Sequence, residues 1–282
     1  MVRLALAFLL GGLFALYQSH SAHAAERVQF ESARYQIGPL QRRLALERRE
    51  PIIPAAPGIL DGFLTRPSGP GPFPAIVHLH GCGGLADNVK RGTNSLWSDR
   101  FAAWGYVTLV VDSFTTRGID NTCSGELATR GADAYGALAW LARQPFVDTN
   151  RIAVIGFSAG GSATLSISEA RDFELFEKEG EHGFKAAVAF YPNCVSDNAL
   201  KIPALILPGE LDDWTPAAAC RTTAARRTGG SPVKLIVYPG TYHSFDTPGP
   251  GRRYFGHWLE YNAAATEAAT EETRKFLAEQ LR

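Results

Sequence analysis

The sequence predicts an α/β fold with a mostly parallel central sheet and helices on both faces of that sheet. Short apolar runs rich in Val and Ile recur along the chain, as expected of strands that are buried on both faces. Between them lie segments with apolar residues three and four positions apart, a spacing that indicates amphipathic helices. Strand and helix therefore alternate, as the crossover connections of a parallel sheet require.

Length and composition limit the alternatives. The chain has 282 residues, 45% of them hydrophobic, with 28 basic and 28 acidic side chains. This length suits one large α/β domain with a well-filled core. The balanced charge does not indicate a nucleic acid or an anionic membrane surface as a partner.

The first 24 residues have the pattern of a secretory signal peptide. Arg3 precedes an apolar run over residues 4–17, and a polar stretch leads to Ala-His-Ala at 22–24, a typical cleavage site. The run is shorter than the roughly 20 residues of a membrane-spanning helix; an uncleaved anchor is the alternative. We expect an exported protein, periplasmic or secreted, that starts near Ala25 and keeps no stable membrane span.

The predicted elements follow in order after an N-terminal extension over residues 25–57, which we expect to pack on the main domain of residues 58–282. Residues 59–65 alternate in polarity and predict an edge strand. Buried strands are predicted over residues 75–79, 106–111, 152–155, 186–191, 204–207 and 233–238. Helices are predicted over residues 96–104, 132–143, 159–169 and 263–281.

A Gly-Phe-Ser-Ala-Gly pentapeptide at 156–160 lies between a predicted strand and a predicted helix. In this setting a G-x-S-x-G motif presents its serine on a tight, strained turn. The helix N-terminus places backbone N–H groups and a partial positive charge beside that serine. We therefore predict Ser158 as a catalytic nucleophile. The structural alternative is a glycine-rich packing turn.

A serine nucleophile needs a base, and the base needs an orienting acid. With this motif the partners follow in the order Ser, acid, His. Asp212 follows the strand predicted over 204–207, and His243 follows the strand predicted over 233–238, so we predict these two residues. The alternatives are Asp213, Glu210 and Asp197 for the acid, and His182 and His257 for the base.

Two backbone N–H groups are needed to bind the oxyanion. One is predicted from Ala159, directly after the nucleophile, and the other from Cys82 in the glycine-rich turn after the strand at 75–79. His80 is a candidate to orient this turn. The pair His78 and His80 also permits a metal site with Asp112, but serine catalysis needs no metal. We expect no metal and no cofactor.

Several side chains near these positions are candidates to line the substrate pocket. For most of them, a place in the core or on the surface is an equally good interpretation. The candidates are His80, Phe157, Trp214, Tyr242, Phe245 and Arg117. Arg117 could pair with a substrate carboxylate, and an exposed position in a loop is the alternative. Whether the loop at 247–253, with its Pro and Gly residues, forms a lid is left open.

The four cysteines are even in number, and an exported chain meets an oxidising compartment. Four cysteines allow three pairings. We expect the sequential one, Cys82 with Cys123 and Cys194 with Cys220.

The ordered motifs resemble those of the dienelactone hydrolase family of α/β-hydrolases, from about residue 58 to the C-terminus. They are His-Gly-Cys-Gly-Gly at 80–84, Asp-Ser-Phe at 112–114 with Arg117-Gly118, the pentapeptide at 156–160, Gly209-x-x-Asp212 with Pro216, and His-Ser-Phe at 243–245. The resemblance implies an α/β-hydrolase fold. It also implies hydrolysis of a small ester or lactone through an acyl-enzyme, without a cofactor. It favours Asp212 over Asp213, because the family acid lies four residues before the proline.

One departure from the family pattern affects the expected substrate. The namesake enzymes use a cysteine nucleophile, whereas this chain has Ser158, which points to a general esterase. An acyltransferase or a peptidase could use the same three residues. A metal-dependent hydrolase and a non-catalytic binding protein are further alternatives, since fold does not fix function.

Overall fold

A computed structural model describes residues 25–49, 51, 56–85, 93–125, 130–169, 182–195 and 198–282. The predicted signal peptide and Asp197 lie outside this part of the chain. The described strands are β1 (Glu26–Glu31), β2 (Ile59–Thr65), β3 (Phe73–Leu79), β4 (Val107–Asp112), β5 (Val147–Phe157), β6 (Ala186–Phe190), β7 (Ala204–Leu207), β8 (Val233–Leu235), β9 (Arg252–Tyr254) and β10 (His257–Leu259). The described helices are α1 (Pro39–Arg48), α2 (Thr93–Ala103), α3 (Arg130–Ala142), α4 (Ala159–Ser168), α5 (Ala217–Arg226) and α6 (Ala263–Gln280).

Eight strands form one sheet in the order β1-β2-β4-β3-β5-β6-β7-β8. The two pairs that involve β2 are antiparallel, and every pair from β4 to β8 is parallel. The chain passes from β3 to β4 on one side and returns to β5 on the other. Such a reversal opens a crevice outside the carboxyl ends of the strands, where ligands bind in open α/β sheets. The mostly parallel α/β prediction is confirmed.

The central strands are buried on both faces, which explains their nearly continuous apolar sequences. Val77 and Leu79 of β3 pack into one core together with α3, α4 and α5. Ile76, directly before Val77, faces the opposite side of the sheet and packs into the other core with α2 and α6. Helices therefore cover both faces, as predicted.

The edge-strand prediction for residues 59–65 is wrong, because β1 from the N-terminal extension pairs with residues 59–64 of β2. Backbone bonds continue this docking beyond β1, from Ser32 N to Gly58 O at 2.8 Å and from Ala33 N to Ala132 O at 2.8 Å. In β1, Val28 and Phe30 alternate with polar residues, a strand pattern that was not assigned in this part of the sequence. The structure thus places the start of the extension in the main sheet.

The last predicted strand is shorter than expected, since β8 ends at Leu235. Its backbone still follows the neighbouring chain, with Ile236 N bonded to Ile206 O at 2.9 Å and Tyr238 N to Pro208 O at 3.0 Å. This path directs the chain towards His243. Helices α1 and α5 and the separate hairpin of β9 and β10 were not predicted.

Two disulfide bonds connect loops around the sheet. Cys82 is bonded to Cys123 and Cys194 to Cys220, the sequential pairing expected from the sequence. The first joins the turn after β3 to the loop after β4, and the second joins the segment after β6 to α5. In the described residues, no helix combines the length and the apolar character needed to cross a membrane.

Candidate active site

The turn between β5 and α4 holds Ser158 in a strained conformation, with φ 53° and ψ −120°. Such backbone geometry costs about 1–3 kcal/mol and is found at functional sites. Two glycines make the turn possible. A Cβ at Gly156 would lie 2.1 Å from the Gly160 oxygen, and one at Gly160 would lie 2.3 Å from the Leu79 oxygen. The turn therefore lifts Ser158 out of the sheet at the crevice beside β3.

A chain of hydrogen bonds joins the three residues predicted from their order in the sequence. His243 Nε2 lies 2.9 Å from Ser158 Oγ, and His243 Nδ1 lies 2.7 Å from Asp212 Oδ2. The imidazole is 1% exposed and the Asp212 side chain is fully buried. This is the arrangement in which an imidazole can take the proton of a serine hydroxyl while a carboxylate holds the ring.

Asp212 is held as a carboxylate by the turn that follows it. Its Oδ1 accepts from the N–H groups of Trp214 at 2.9 Å and Thr215 at 2.8 Å, and its Oδ2 accepts from Thr215 Oγ1 at 2.8 Å. Burial alone raises the pKa of Asp212, but the hydrogen bonds from His243 and Thr215 outweigh it. The pKa therefore lies below its ordinary value, and the group is ionised at neutral pH.

The imidazole of His243 is packed between two aromatic rings. Tyr191 meets it edge-on at 4.7 Å between ring centroids, and Trp214 lies at 5.1 Å. The backbone of His243 also bridges to Leu259 of β10. These contacts fix the ring between its acid and the nucleophile.

The glycine-rich turn after β3 lies against Ser158, because a Cβ at Gly81 would be 3.7 Å from Ser158 Cβ. Cys82 follows in this turn, and its carbonyl accepts from Thr122 N at 2.9 Å. Ala159 begins α4 on the other side of Ser158. The two backbone N–H groups predicted for the oxyanion thus belong to segments that flank Ser158.

His80 is 1% exposed and holds this turn, so its assignment to the pocket lining is wrong. Its Nε2 lies 3.3 Å from Ser113 N and its Nδ1 lies 2.7 Å from Gly81 O. Burial, together with the charge of Arg130, holds the pKa of His80 well below its ordinary value. A neutral ring fits both contacts when Nε2 accepts and Nδ1–H donates.

The side chains of the alternative metal site have other neighbours. His78 is fully buried with its ring 4.9 Å from that of Phe157, and burial lowers its pKa to about 3. Asp112 Oδ1 accepts from the N–H groups of Phe114 at 3.0 Å and Thr115 at 2.9 Å. Among the described residues, no three His, Cys, Asp or Glu side chains group as metal ligands.

Three other pocket predictions are also corrected. Phe157 and Phe245 are 5% and 0% exposed and belong to the core shared with α2 and α6. Arg117 binds Asp133 through two nitrogens, at 2.8 and 2.7 Å, so its guanidinium is already neutralised by a fully buried carboxylate. Trp214, whose ring lies 5.1 Å from that of His243, and Tyr242, which directly precedes His243, are partly exposed and stay candidates for the pocket.

The hairpin of β9 and β10 adds a wall to the site that sequence reasoning missed. Tyr254 Oη would lie 3.1 Å from a Cβ at Gly83 and is 4.0 Å from Cys123 Sγ, so it packs on the oxyanion turn. His257 stacks on Trp214, with centroids 4.7 Å apart and planes 12° apart. The aromatic density of residues 254–258 was the available signal.

The rival catalytic residues are placed elsewhere or differently. Asp213 is 51% exposed and lies 3.5 Å from His257 Nδ1, while Glu210 Oε2 accepts from Gly240 N at 3.0 Å. His182 is partly exposed ahead of β6. The hydrogen bond to Ser158 Oγ comes from His243, whereas Asp213, Glu210, His182 and His257 have the other positions just described.

Comparison with known proteins gives one family. The model of the dienelactone hydrolase family matches residues 60–281. A protein of Methylorubrum extorquens named as a candidate carboxymethylenebutenolidase is 26% identical over 219 residues, which cover 68% of this chain and 70% of that protein.

Solved structures share the fold at low identity. A dienelactone hydrolase-like promiscuous phosphotriesterase from metagenomic libraries superposes with a TM-score of 0.62 at 19% identity, covering 92% of this chain and all of the other. An esterase of Thermogutta terrifontis with bound propionate gives a TM-score of 0.57 at 21% identity, covering 78% of this chain and 89% of the other.

Proposed function

The chain belongs to the dienelactone hydrolase family, and we propose that it is an exported serine esterase that cleaves small carboxylic esters or lactones through an acyl-enzyme. The observation that carries this proposal is the hydrogen-bonded series of Ser158, His243 and Asp212 on a strained turn. A hydroxyl is a weak nucleophile until a neighbouring base removes its proton, and this geometry supplies that base.

In the first half of the reaction, His243 Nε2 takes the Ser158 proton as Oγ bonds to the ester carbonyl carbon. The carbonyl oxygen becomes an oxyanion, which the backbone N–H groups of Ala159 and Cys82 bind. The carbon–oxygen bond to the alcohol then breaks, and His243 returns the proton to the leaving oxygen. The product of this half is the acyl-enzyme on Ser158.

In the second half, His243 takes a proton from water, and the hydroxide oxygen attacks the acyl carbon. The tetrahedral oxyanion forms in the same place, collapses, and releases the acid as Ser158 Oγ regains a proton. Asp212 holds the ring tautomer and stabilises the charged imidazole in both halves. Its lowered pKa supports this role, because a protonated carboxyl could do neither.

Small neutral esters suit the site better than substrates with a carboxylate. Arg117, the cation considered for a carboxylate, is bound by Asp133. Trp214 and Tyr242 instead offer partly exposed aromatic surface. Structures of the Thermogutta terrifontis esterase include complexes with propionate and butyrate and a form phosphonylated by sarin, which supports short acyl groups and a covalent step here.

Export is supported by two independent features. The first 24 residues follow the signal-peptide pattern, and the two disulfide bonds suit an oxidising compartment.

The test is hydrolysis of p-nitrophenyl acetate and butyrate by the mature protein, beside Ser158→Ala, with and without a chelator. We expect activity that the chelator leaves unchanged and that the variant loses by at least about a thousandfold, because the nucleophile and its acyl-enzyme are gone. Adding an alcohol or an amine as acceptor, and a peptide substrate, separates an esterase from an acyltransferase or a peptidase.

The controls decide between the alternatives. Ser162→Ala removes a hydroxyl one turn along α4 and is expected to keep most of the activity. Loss of activity to the chelator alone would indicate the metal site at His78 and His80. A mature protein that hydrolyses none of these substrates would contradict the proposed function.

A further inference from the structure

Arg130, the first residue of α3, is buried behind the oxyanion turn. It is 4% exposed, and its guanidinium carbon lies 4.8 Å from the centroid of the Phe114 ring. Nη1 donates to the carbonyl of His80 and Nη2 donates to the carbonyl of Gly81, the latter at 3.1 Å. One planar guanidinium therefore contacts two successive peptide groups of the turn.

These contacts determine where the N–H groups of the turn point. In a planar trans peptide, the C=O of one residue and the N–H of the next point in opposite directions. The carbonyl of Gly81 shares its peptide with the Cys82 N–H, and the carbonyl of His80 shares its peptide with the Gly81 N–H. Because Arg130 holds both carbonyl oxygens on its own side of the turn, the N–H groups of Gly81 and Cys82 point to the opposite side.

His80 acts on the same peptide, because its Nδ1 lies 2.7 Å from Gly81 O. The Gly81 carbonyl is thus held by a ring nitrogen and a guanidinium nitrogen. The positive charge of Arg130 also polarises the two peptides, which makes their N–H groups better donors.

Burial of a guanidinium is costly, and in Arg130 it lowers the pKa to about 10. Asp133, one turn along α3, is bound by both ends of Arg117. The charge of Asp133 still favours the charged form of Arg130, and the hydrogen bonds to the turn add to this compensation for its burial.

We propose that Arg130 is a positioning residue that orients the Cys82 N–H towards the oxyanion. This inference rests on the proposed function, since it assigns the residue that prepares that site for the tetrahedral state. Arg130 contacts neither substrate nor reacting atoms. Its removal changes the rate through the orientation of the turn.

The experiment compares Arg130→Met and Arg130→Lys with the unaltered mature protein on p-nitrophenyl butyrate. For Arg130→Met we expect kcat to fall by about 10- to 100-fold, because a misoriented oxyanion donor stabilises the transition state less well. KM should change by less than about twofold. The dissociation constant of an alkyl trifluoromethyl ketone, which forms a tetrahedral adduct with a reactive serine, should rise by the same factor as kcat/KM falls.

The matched control is Arg66→Met. Arg66 also places its guanidinium over an aromatic ring, 3.6 Å from the centroid of Phe146, which precedes β5 and lies at the end of the sheet opposite Ser158. The Arg66→Met substitution should lower the melting temperature without changing kcat or the affinity for the ketone. A merely structural role for Arg130 would give the same result as this control, and that result overturns the proposal.

If Arg130→Met does not fold, Arg130→Lys decides. A lysine keeps the charge but lacks the fork that reaches two carbonyls, so kcat should fall several-fold with KM retained. A folded lysine variant with unaltered kcat and ketone affinity overturns the proposal. An unaltered protein inert to both ester and ketone contradicts the proposed function itself, which distinguishes the two failures.

Discussion

Asp212 and Asp213 are adjacent in sequence, yet their surroundings differ completely. The Asp212 carboxylate is buried and accepts hydrogen bonds from the two residues of its own turn and from His243. Asp213 is half exposed and lies near His257 instead. Sequence order could predict that an acid follows β7, but only the path of the turn determines which of two carboxylates faces the imidazole.

Asp212→Asn should lower kcat by about 10⁴-fold, because an amide holds the wrong imidazole tautomer and cannot stabilise its charged form. Asp213→Asn should stay within about threefold of the unaltered protein, since exposed charges couple weakly to a buried site. The kcat of both variants on p-nitrophenyl butyrate checks this. Equal losses in the two variants would refute the assignment of Asp212.

Phe157 and Phe245 show what residue patterns do not reveal. Phe157 directly precedes Ser158, and Phe245 follows His243 by two residues; both pack into the core shared with α2 and α6. Successive side chains of a strand face opposite sides, so Phe157 at the end of β5 does not share the direction of Ser158. For Phe245, nearness in sequence to His243 does not show which way its ring faces. Arg117 was misjudged for another reason, because its partner Asp133 is sixteen residues away and its contact is set by the packing of α3.

At the scale of elements, the oxyanion turn is held from several directions. His80 and Arg130 bind its carbonyls, Thr122 N bonds to Cys82 O, and Cys82 is bonded to Cys123. The glycines of the turn were visible in the sequence. Thr122 and Cys123 come from the loop after β4, and Arg130 comes from α3. These segments meet the turn because β3 and β4 are neighbours in the sheet.

The two disulfides should differ in their effect on catalysis. The double variants Cys82→Ser/Cys123→Ser and Cys194→Ser/Cys220→Ser should each lose about 2–4 kcal/mol of unfolding free energy. Only the first should also lower kcat, on the order of tenfold, because only the first loosens the oxyanion turn. Denaturant unfolding and kcat, measured well below the melting temperature, check this. Unaltered kcat in the first variant would contradict the role given to that bridge.

The hairpin of β9 and β10 is the element for which sequence reasoning had least to offer. Each of its strands has three residues, too few for a pattern of alternation to appear. Its position against Trp214, Gly83 and Cys123 arises from tertiary packing alone. The segment 247–253, considered as a lid, includes the first two residues of β9, Arg252 and Arg253.

At the scale of the whole molecule, the central sheet and the hydrogen-bonded grouping of Ser158, Asp212 and His243 could be predicted, because buried parallel strands and the G-x-S-x-G turn leave local patterns. The partner of the first strand could not be predicted. Arg27 and Gln29 of β1 bind Asp61 of β2 across the sheet, a specific pairing between segments about 30 residues apart that no local pattern records.

The proposed export and the two disulfide bonds together lead to a prediction that intact-protein mass spectrometry can check. Protein recovered from the exporting cell should begin near Ala25, and an alkylating agent in denaturant should modify no cysteine before reduction and four after it. Reductant should lower the melting temperature, because each bridge contributes a few kcal/mol. Four thiols that react without reductant would contradict both bridges.

The central claim is that Ser158 is a nucleophile activated by His243. The most direct measurement is covalent labelling with a fluorophosphonate, followed by peptide mapping of the modified residue. We expect one label per chain, on Ser158, formed rapidly in the unaltered protein, about a thousandfold or more slowly in His243→Ala, and not at all in Ser158→Ala. An unlabelled protein, a label on another residue, or labelling that survives in Ser158→Ala would contradict the account.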